Sequence, residues 1–201
     1  MTVRGYYDRK SNKDESDNKE IFNKLNKILG DTTKPLSRIK DKDILDIILN
    51  SYKKVLSGQK LKETDFILEG HEINEFSNID SELISRYMVY RYKYNMYPKL
   101  KIIDDYPPCI QIEPTSICNF RCIMCYQVDK SFSYKSNGFM GYIDFEAYKK
   151  VIDELEGNVE AVTFASRGEP TLHPKIGDIL DYAKGKFLGL KLNTNASLLN
   201  E

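Results

Sequence analysis

The sequence predicts an α/β fold, a parallel sheet with intervening helices, preceded by an N-terminal helical region. Three observations lead there. Strand-like runs at 109–114, 159–164 and 188–193 are separated by single helical stretches, and such alternation implies parallel neighbours joined by right-handed crossovers, as in a barrel or a doubly wound sheet. Residues 17–100 read instead as successive helices. Three of the four cysteines crowd into the eight residues Cys118–Cys125, directly after the first strand run, where chemistry collects in parallel α/β folds.

Taken in order, residues 1–16 mix charges of both signs with Ser and Asn and lack apolar periodicity, which suits a disordered lead-in. From Asp17, "DNKEIFNKLNKILG" reads as a helix. Asp17 is the expected N-cap, Glu20 fills the capping-box position, Ile21, Leu25 and Ile28 share a face, and Gly30 stops it. A second helix is expected from Asp41 to about Ser57, with Ile44, Ile48, Tyr52 and Val55 inward and Gly58 past its end. A third is expected from Asp80 or Ser81 to about Met96, ended by Pro98.

On that third helix Leu83, Tyr87, Tyr90, Tyr94 and Tyr97 repeat at helical spacing, with Arg86, Arg91 and Lys93 between them. Aromatics interleaved with bases suggest a nucleic-acid surface. Thirty basic and thirty acidic residues cancel, however, leaving no field to hold a polyanion. The expectation is that the tyrosines pack this helix on the following domain and the bases form its solvated flank.

After the linker "YPKLKIIDDYPP" the pattern changes. "CIQIEP" (109–114) alternates as a strand, and Asp144 to Glu156 reads as a capped helix closed by Gly157, with Ala147, Tyr148, Val151, Ile152 and Leu155 apolar. "VEAVTF", a helix from about Pro174 to Ala183, and "LGLKLN" complete a β-α-β-α-β order. With no signal-peptide core and no uncharged run of membrane-spanning length, a cytoplasmic protein without membrane contact is expected. Four cysteines in a reducing compartment are poor disulfide candidates, so a metal or cluster site leads.

Cys118, Cys122 and Cys125, spaced Cys-x3-Cys-x2-Cys, can aim three thiolates at one polynuclear centre, where ordinary clusters and structural zinc want four ligands. Over about residues 109–201 the sequence resembles the radical S-adenosylmethionine (radical SAM) superfamily, which carries this triplet after its first strand. "SRGEP" (166–170) after the second strand is similar to that family's Gly-Gly-Glu loop, with Arg167 in place of the first glycine. "NTNAS" (193–197) follows the third strand where relatives often show Thr-Asn-Gly, with Ala196 in place of the glycine. The resemblance implies a partial (β/α) TIM-like barrel, truncated after the third strand and preceded by the helical region.

It further implies that Cys118, Cys122 and Cys125 hold three irons of a [4Fe-4S] cluster, the fourth iron being left to the amino and carboxylate groups of S-adenosylmethionine. One electron from an external donor then yields methionine and a 5′-deoxyadenosyl radical that takes hydrogen from substrate. Gly168, Glu169 and Asn195 are the implied S-adenosylmethionine contacts, and Met124, beside the last cysteine, the implied cover for the adenine. No catalytic residue is assigned, and peptide, carbohydrate and small-molecule substrates all stay open.

Two other readings compete. A structural zinc module would take Cys109 or His173 as fourth ligand, although the strand carries Cys109 away from the triplet. A simple iron–sulfur electron carrier would need a fourth thiolate and leaves the Gly-Glu-Pro loop unexplained. Glu113 reads either as an interior carboxylate meeting cofactor or substrate or as an exposed strand end. Arg167 could bind a carboxylate or phosphate, and the segment 128–142 could lie over the cluster. His173, before Pro174 at a helix start, reads as an ordinary capping or loop residue, and His71 in "LEGHEINEF" shows no partner in the sequence.

Overall fold

The computed structural model describes residues 15–30 and 39–199, so residues 1–14 of the expected lead-in lie outside the described residues. The chain divides into two compact units, Met1–Ile103 and Asp104–Glu201.

The first unit contains α1 (Glu15–Gly30), α2 (Ile39–Leu56), α3 (Gly70–Asn78) and α4 (Ile84–Leu100). Helix α1 starts at Glu15 rather than being capped at Asp17. Glu15 sits in the first turn, where a carboxylate complements the helix dipole, and pairs with Lys19 one turn on (2.7 Å). Glu20 pairs with Lys24 (2.7 Å) within the helix rather than closing a capping box. Ile21 and Leu25 of α1 are buried, as are Ile44, Leu45, Ile48 and Tyr52 of α2.

Sequence reading passed over α3. It opens with a capping box in which the Glu72 side chain accepts from the Glu69 N–H (2.9 Å), and it buries Phe76. Helix α4 begins at Ile84, after a turn in which Leu83 N–H bonds to Asp80 O (2.8 Å), and so later than Asp80 or Ser81. It also runs through Pro98 to Leu100. A proline in the last turn forfeits only one intrahelical bond, and the helix closes on Lys101 in the left-handed region (φ 54°), with Ile102 N–H reaching back to Tyr97 O (3.0 Å).

The face α4 buries differs from the expected one. Ile84, Met88, Tyr92 and Met96 form its buried row, Tyr87 is buried beside them, and Tyr94 is exposed. Arg91, expected on a solvated flank, is only 7% exposed and meets Glu72 and Glu75. Two overlapping stripes on α4 were apolar enough to pack, and the Phe66 ring, edge-on to Tyr92 at 5.7 Å, marks the one that does.

The second unit is built on three parallel strands, β1 (Cys109–Ile112), β2 (Ala161–Phe164) and β3 (Gly189–Leu192), in the order β1-β2-β3. Helices α6 (Phe145–Leu155) and α7 (Ile176–Ala183) make the two crossovers, and a single turn, α5 (Lys130–Ser133), lies in the long β1–α6 connection. Asp144 caps α6 through the Ala147 N–H (2.9 Å).

Ile112, Val162 and Phe164 join Tyr148, Ile152, Ile179 and Ala183 of the helices in one core. The Tyr148 hydroxyl donates to Ile179 O (2.7 Å), tying α6 to α7. The strands are aligned so that Ile112, Phe164 and Leu192 lie side by side at their C-terminal ends. This is an α/β arrangement consistent with part of a (β/α) barrel. Among the described residues no helix is long and apolar enough to cross a membrane.

Candidate functional site

Because the three strands end level, the loops that follow them leave the sheet together. The first, from Glu113, is anchored before it reaches the cysteines. Thr115 Oγ1 and Ser116 N–H donate to Gly141 O (2.8 and 3.1 Å), Gly141 N–H donates to Ser116 Oγ (2.8 Å), and Ile143 N–H donates to Pro114 O (2.9 Å). The far end of the 128–142 segment is thereby pinned to the base of the cysteine loop. Phe132, Tyr134, Phe139 and Tyr142 of that segment are exposed.

The second loop sits directly on the first. A Cβ on Gly168 would fall 1.7 Å from Thr115 O and 2.9 Å from Ile117 O, so only glycine permits this approach. Glu169 N–H then bonds to Ile117 O (2.8 Å), one residue before Cys118. Ser166 holds φ 139°, in the region that favours glycine.

Glu113 takes the backbone N–H (2.9 Å), Nε (3.2 Å) and Nη2 (2.9 Å) of Arg167 in a bidentate grip. Partial burial pushes the Glu113 carboxyl up, but the Arg167 side chain and N–H and the Ser166 hydroxyl outweigh it and hold it below the usual range. Arg167 is thus engaged by this chain's own carboxylate.

Glu169 is 2% exposed and accepts four bonds, two from its own loop and two from the third. Its Oε1 accepts from Thr171 N–H (3.0 Å), Thr171 Oγ1 (2.7 Å) and Thr194 Oγ1 (2.6 Å), and its Oε2 accepts from Asn195 N–H (2.7 Å). Burial favours the neutral acid, yet the bonds from Asn195, Thr194 and Thr171 prevail and keep the carboxyl below its ordinary value. The third loop returns to the first: Asn195 Nδ2 donates to Asn119 Oδ1 (2.9 Å), and Asn119 Nδ2 donates to Ser197 Oγ (2.8 Å).

Gly168, Glu169 and Asn195 are therefore brought together. The three thiols share one exposed loop, and all four cysteines are free. Among the described residues, no group of three or more His, Cys, Asp or Glu side chains is gathered closely enough to hold a metal ion. The loop is shaped by its backbone, with Cys125 N–H on Cys122 O (2.9 Å) and Phe120 N–H on Cys118 Sγ (3.4 Å). Three soft donors on one loop fit an iron–sulfur cluster by donor type, while their side chains are not drawn together by protein contacts alone. Met124 is 85% exposed beside them.

Cys109 starts β1 at the end of the sheet away from the triplet, and burial pushes its thiol up. Both ring nitrogens of His173 are engaged, Nδ1 with Lys175 N–H (3.0 Å) and Nε2 with Ile143 O (3.2 Å). Neither residue is placed to complete a zinc site. Sequence reading missed Asn119, Gln127, Thr171 and Thr194. Asn119 lay inside the triplet and Thr194 inside "NTNAS"; Gln127 and Thr171 had no local signal.

The family model described as the Radical SAM superfamily matches residues 112–201. That stretch belongs to the radical SAM superfamily. Enzymes of the superfamily use a [4Fe-4S] cluster and S-adenosylmethionine. The radical SAM segment is similar to the tungsten-containing aldehyde ferredoxin oxidoreductase cofactor-modifying protein of Pyrococcus furiosus, at 31% identity over 46% of this chain and 25% of the relative. It is also similar to mycofactocin maturase MftC of Mycobacterium tuberculosis, at 32% identity over 45% of this chain and 22% of the relative. The antilisterial bacteriocin subtilosin biosynthesis protein AlbA of Bacillus subtilis is 32% identical over 44% of this chain and 18% of the relative. The matched stretch thus spans a quarter or less of these three relatives. No solved structure gives a significant match.

Proposed function

We propose that the chain is the cluster-bearing part of a radical SAM enzyme, with Cys118, Cys122 and Cys125 as the cluster ligands. The observation that carries this reading is the seating of Gly168 and Glu169 on the backbone of Thr115–Ile117, which leads straight into Cys118. The residues matched to cofactor binding thereby lie against the cysteine loop by a contact that only glycine allows. When bound, cluster and S-adenosylmethionine would supply one-electron reductive cleavage at the sulfonium.

This chain's own residues bind and orient. Gly168 offers backbone at the foot of the cysteine loop. Glu169, held ionised by four donors, has one bond on Oε2 against three on Oε1, which leaves Oε2 with capacity for a cationic amino group. Asn195 fixes that oxygen through its N–H, and Met124 offers an apolar face for the adenine. The names of the relatives speak of modifying a cofactor, maturing mycofactocin and making a bacteriocin, so a peptide or a cofactor-like small molecule is the proposed substrate class. Reduction comes from an external donor in the cytoplasm.

Anaerobic reconstitution with iron and sulfide, followed by dithionite and S-adenosylmethionine, tests the reading through 5′-deoxyadenosine. Cys118→Ala, Cys122→Ala and Cys125→Ala should each abolish cluster assembly, while Cys109→Ala leaves iron content unchanged. Equal iron loss in all four variants would point to a four-thiolate site. A colourless protein indifferent to dithionite would point to zinc.

A further inference from the structure

Gln127 is 3% exposed, two residues beyond Cys125, and an amide at such a position is costly unless its hydrogen bonds are made. Its Nε2 donates to Ser116 O (2.7 Å) and to Arg167 O (2.8 Å). Its Oε1 is buried with no partner. The space beside it, lined by Ser116, Tyr126, Phe132, Met140 and Arg167, has no room for a water molecule. An apolar side chain would avoid that orphaned oxygen, so the two bonds made by Nε2 are what the amide provides.

One acceptor flanks the cysteines and the other flanks Gly168. Ser116 lies two residues before Cys118, and Arg167 immediately precedes Gly168. Gln127 itself belongs to the 3₁₀ turn Tyr126–Val128, which is fixed to Cys125 by Val128 N–H on Cys125 O (3.2 Å). One side chain therefore joins the two feet of the loop 118–125 and ties them to the loop of Gly168 and Glu169. At its middle, Asn119 ties the same loop to Asn195 and Ser197.

We propose that Gln127 is a positioning residue: its amide holds the cysteine loop closed at its base and in register with Gly168–Glu169. This rests on the cluster reading above for its purpose, but its geometry can be tested without a cluster. In the metal-free protein, Gln127→Met should speed hydrogen exchange at the hydrogen-bonded backbone amides of Cys125 and Glu169, at the foot of the cysteine loop, by about tenfold, as loss of two ordinary hydrogen bonds implies, and leave β2 and α6 protected as before. In the reconstituted protein the same variant should surrender iron to a chelator about tenfold faster than the parent. Unchanged loop exchange, unchanged iron loss, or equal acceleration in β2 and α6 overturns the proposal.

The parent protein gives a check that no folding failure can spoil. The side-chain NH2 protons of Gln127 should exchange slowly, and exchange at the rate of a free amide overturns the proposal. If the parent takes up no cluster, the functional reading falls while the exchange results still decide the role of Gln127.

Discussion

Arg91 and Glu169 are both charged and almost fully buried, and their partners differ in kind. Arg91 on α4 meets Glu72 (3.4 Å), Glu75 (3.1 Å) and His71 Nε2 (2.9 Å) on α3, and Tyr87 Oη (3.3 Å) on its own helix. Every one of those groups rides on a helix, and among them Glu72 also takes one backbone N–H, that of Glu69 just before α3. Glu169 meets Thr171, Thr194 and Asn195, and two of its four donors are backbone N–H groups outside any strand or longer helix. The first arrangement locks two formed helices together. The second gives irregular backbone the partners that a sheet or helix would otherwise provide, and so lets three loops hold one shape at the end of a small sheet.

If that contrast holds, the largest stability effect belongs to Arg91. Arg91→Met leaves Glu72, itself 4% exposed, without its counter-charge, and should destabilise the first unit by about 3–5 kcal/mol. Chemical denaturation should show the loss, with cluster content of the folded protein unchanged. A loss in cluster content would break the separation between the two regions.

Gly168→Ala comes next. Its methyl would meet the Thr115 carbonyl, a backbone atom that cannot swing aside, so a cost of about 2–3 kcal/mol is expected in the second unit. Gly141→Ala, with open space at its Cβ, is the control and should be nearly neutral. Equal behaviour of the two in thermal melts would mean that the loops are not packed on each other.

Glu169→Gln sharpens the comparison through pH. The folded carboxyl lies below its ordinary value, so the unfolded chain takes up the proton first as pH falls. The stabilisation is therefore fully present above the ordinary value, about 4.3, and is lost as pH drops through the folded value. The variant should be less stable than the parent at pH 7, and the difference should narrow below about pH 4.3. A difference independent of pH would show that the charge of Glu169 contributes nothing.

The smallest effect concerns Ala196, which holds φ 60° in the left-handed region that favours glycine. Ala196→Gly should relieve that strain and raise stability by about 0.5–1 kcal/mol. A lower melting temperature would mean that the extra freedom of the unfolded glycine outweighs the relief.

Short-range pattern was enough for much of this molecule. Helices α1, α2, α6 and α7 and all three strands appear within a few residues of where periodicity, Asp144 and Gly157 place them, because caps and apolar spacing act over one or two turns. The position of Cys118–Cys125 after β1 was equally legible. Helix α3 was not, since its nine residues offer only Ile73 and Phe76 as an apolar signal. Which stripe of α4 is buried was settled by what packs on it, and one helix cannot contain that information. The same holds for the site. Glu113 finds Arg167 at a separation of 54 residues, Gln127 finds Arg167 at 40, and Asn119 finds Ser197 at 78. Those partners meet because three parallel strands end level with one another. Two of them are reached through backbone atoms, which every residue possesses and no sequence motif can mark.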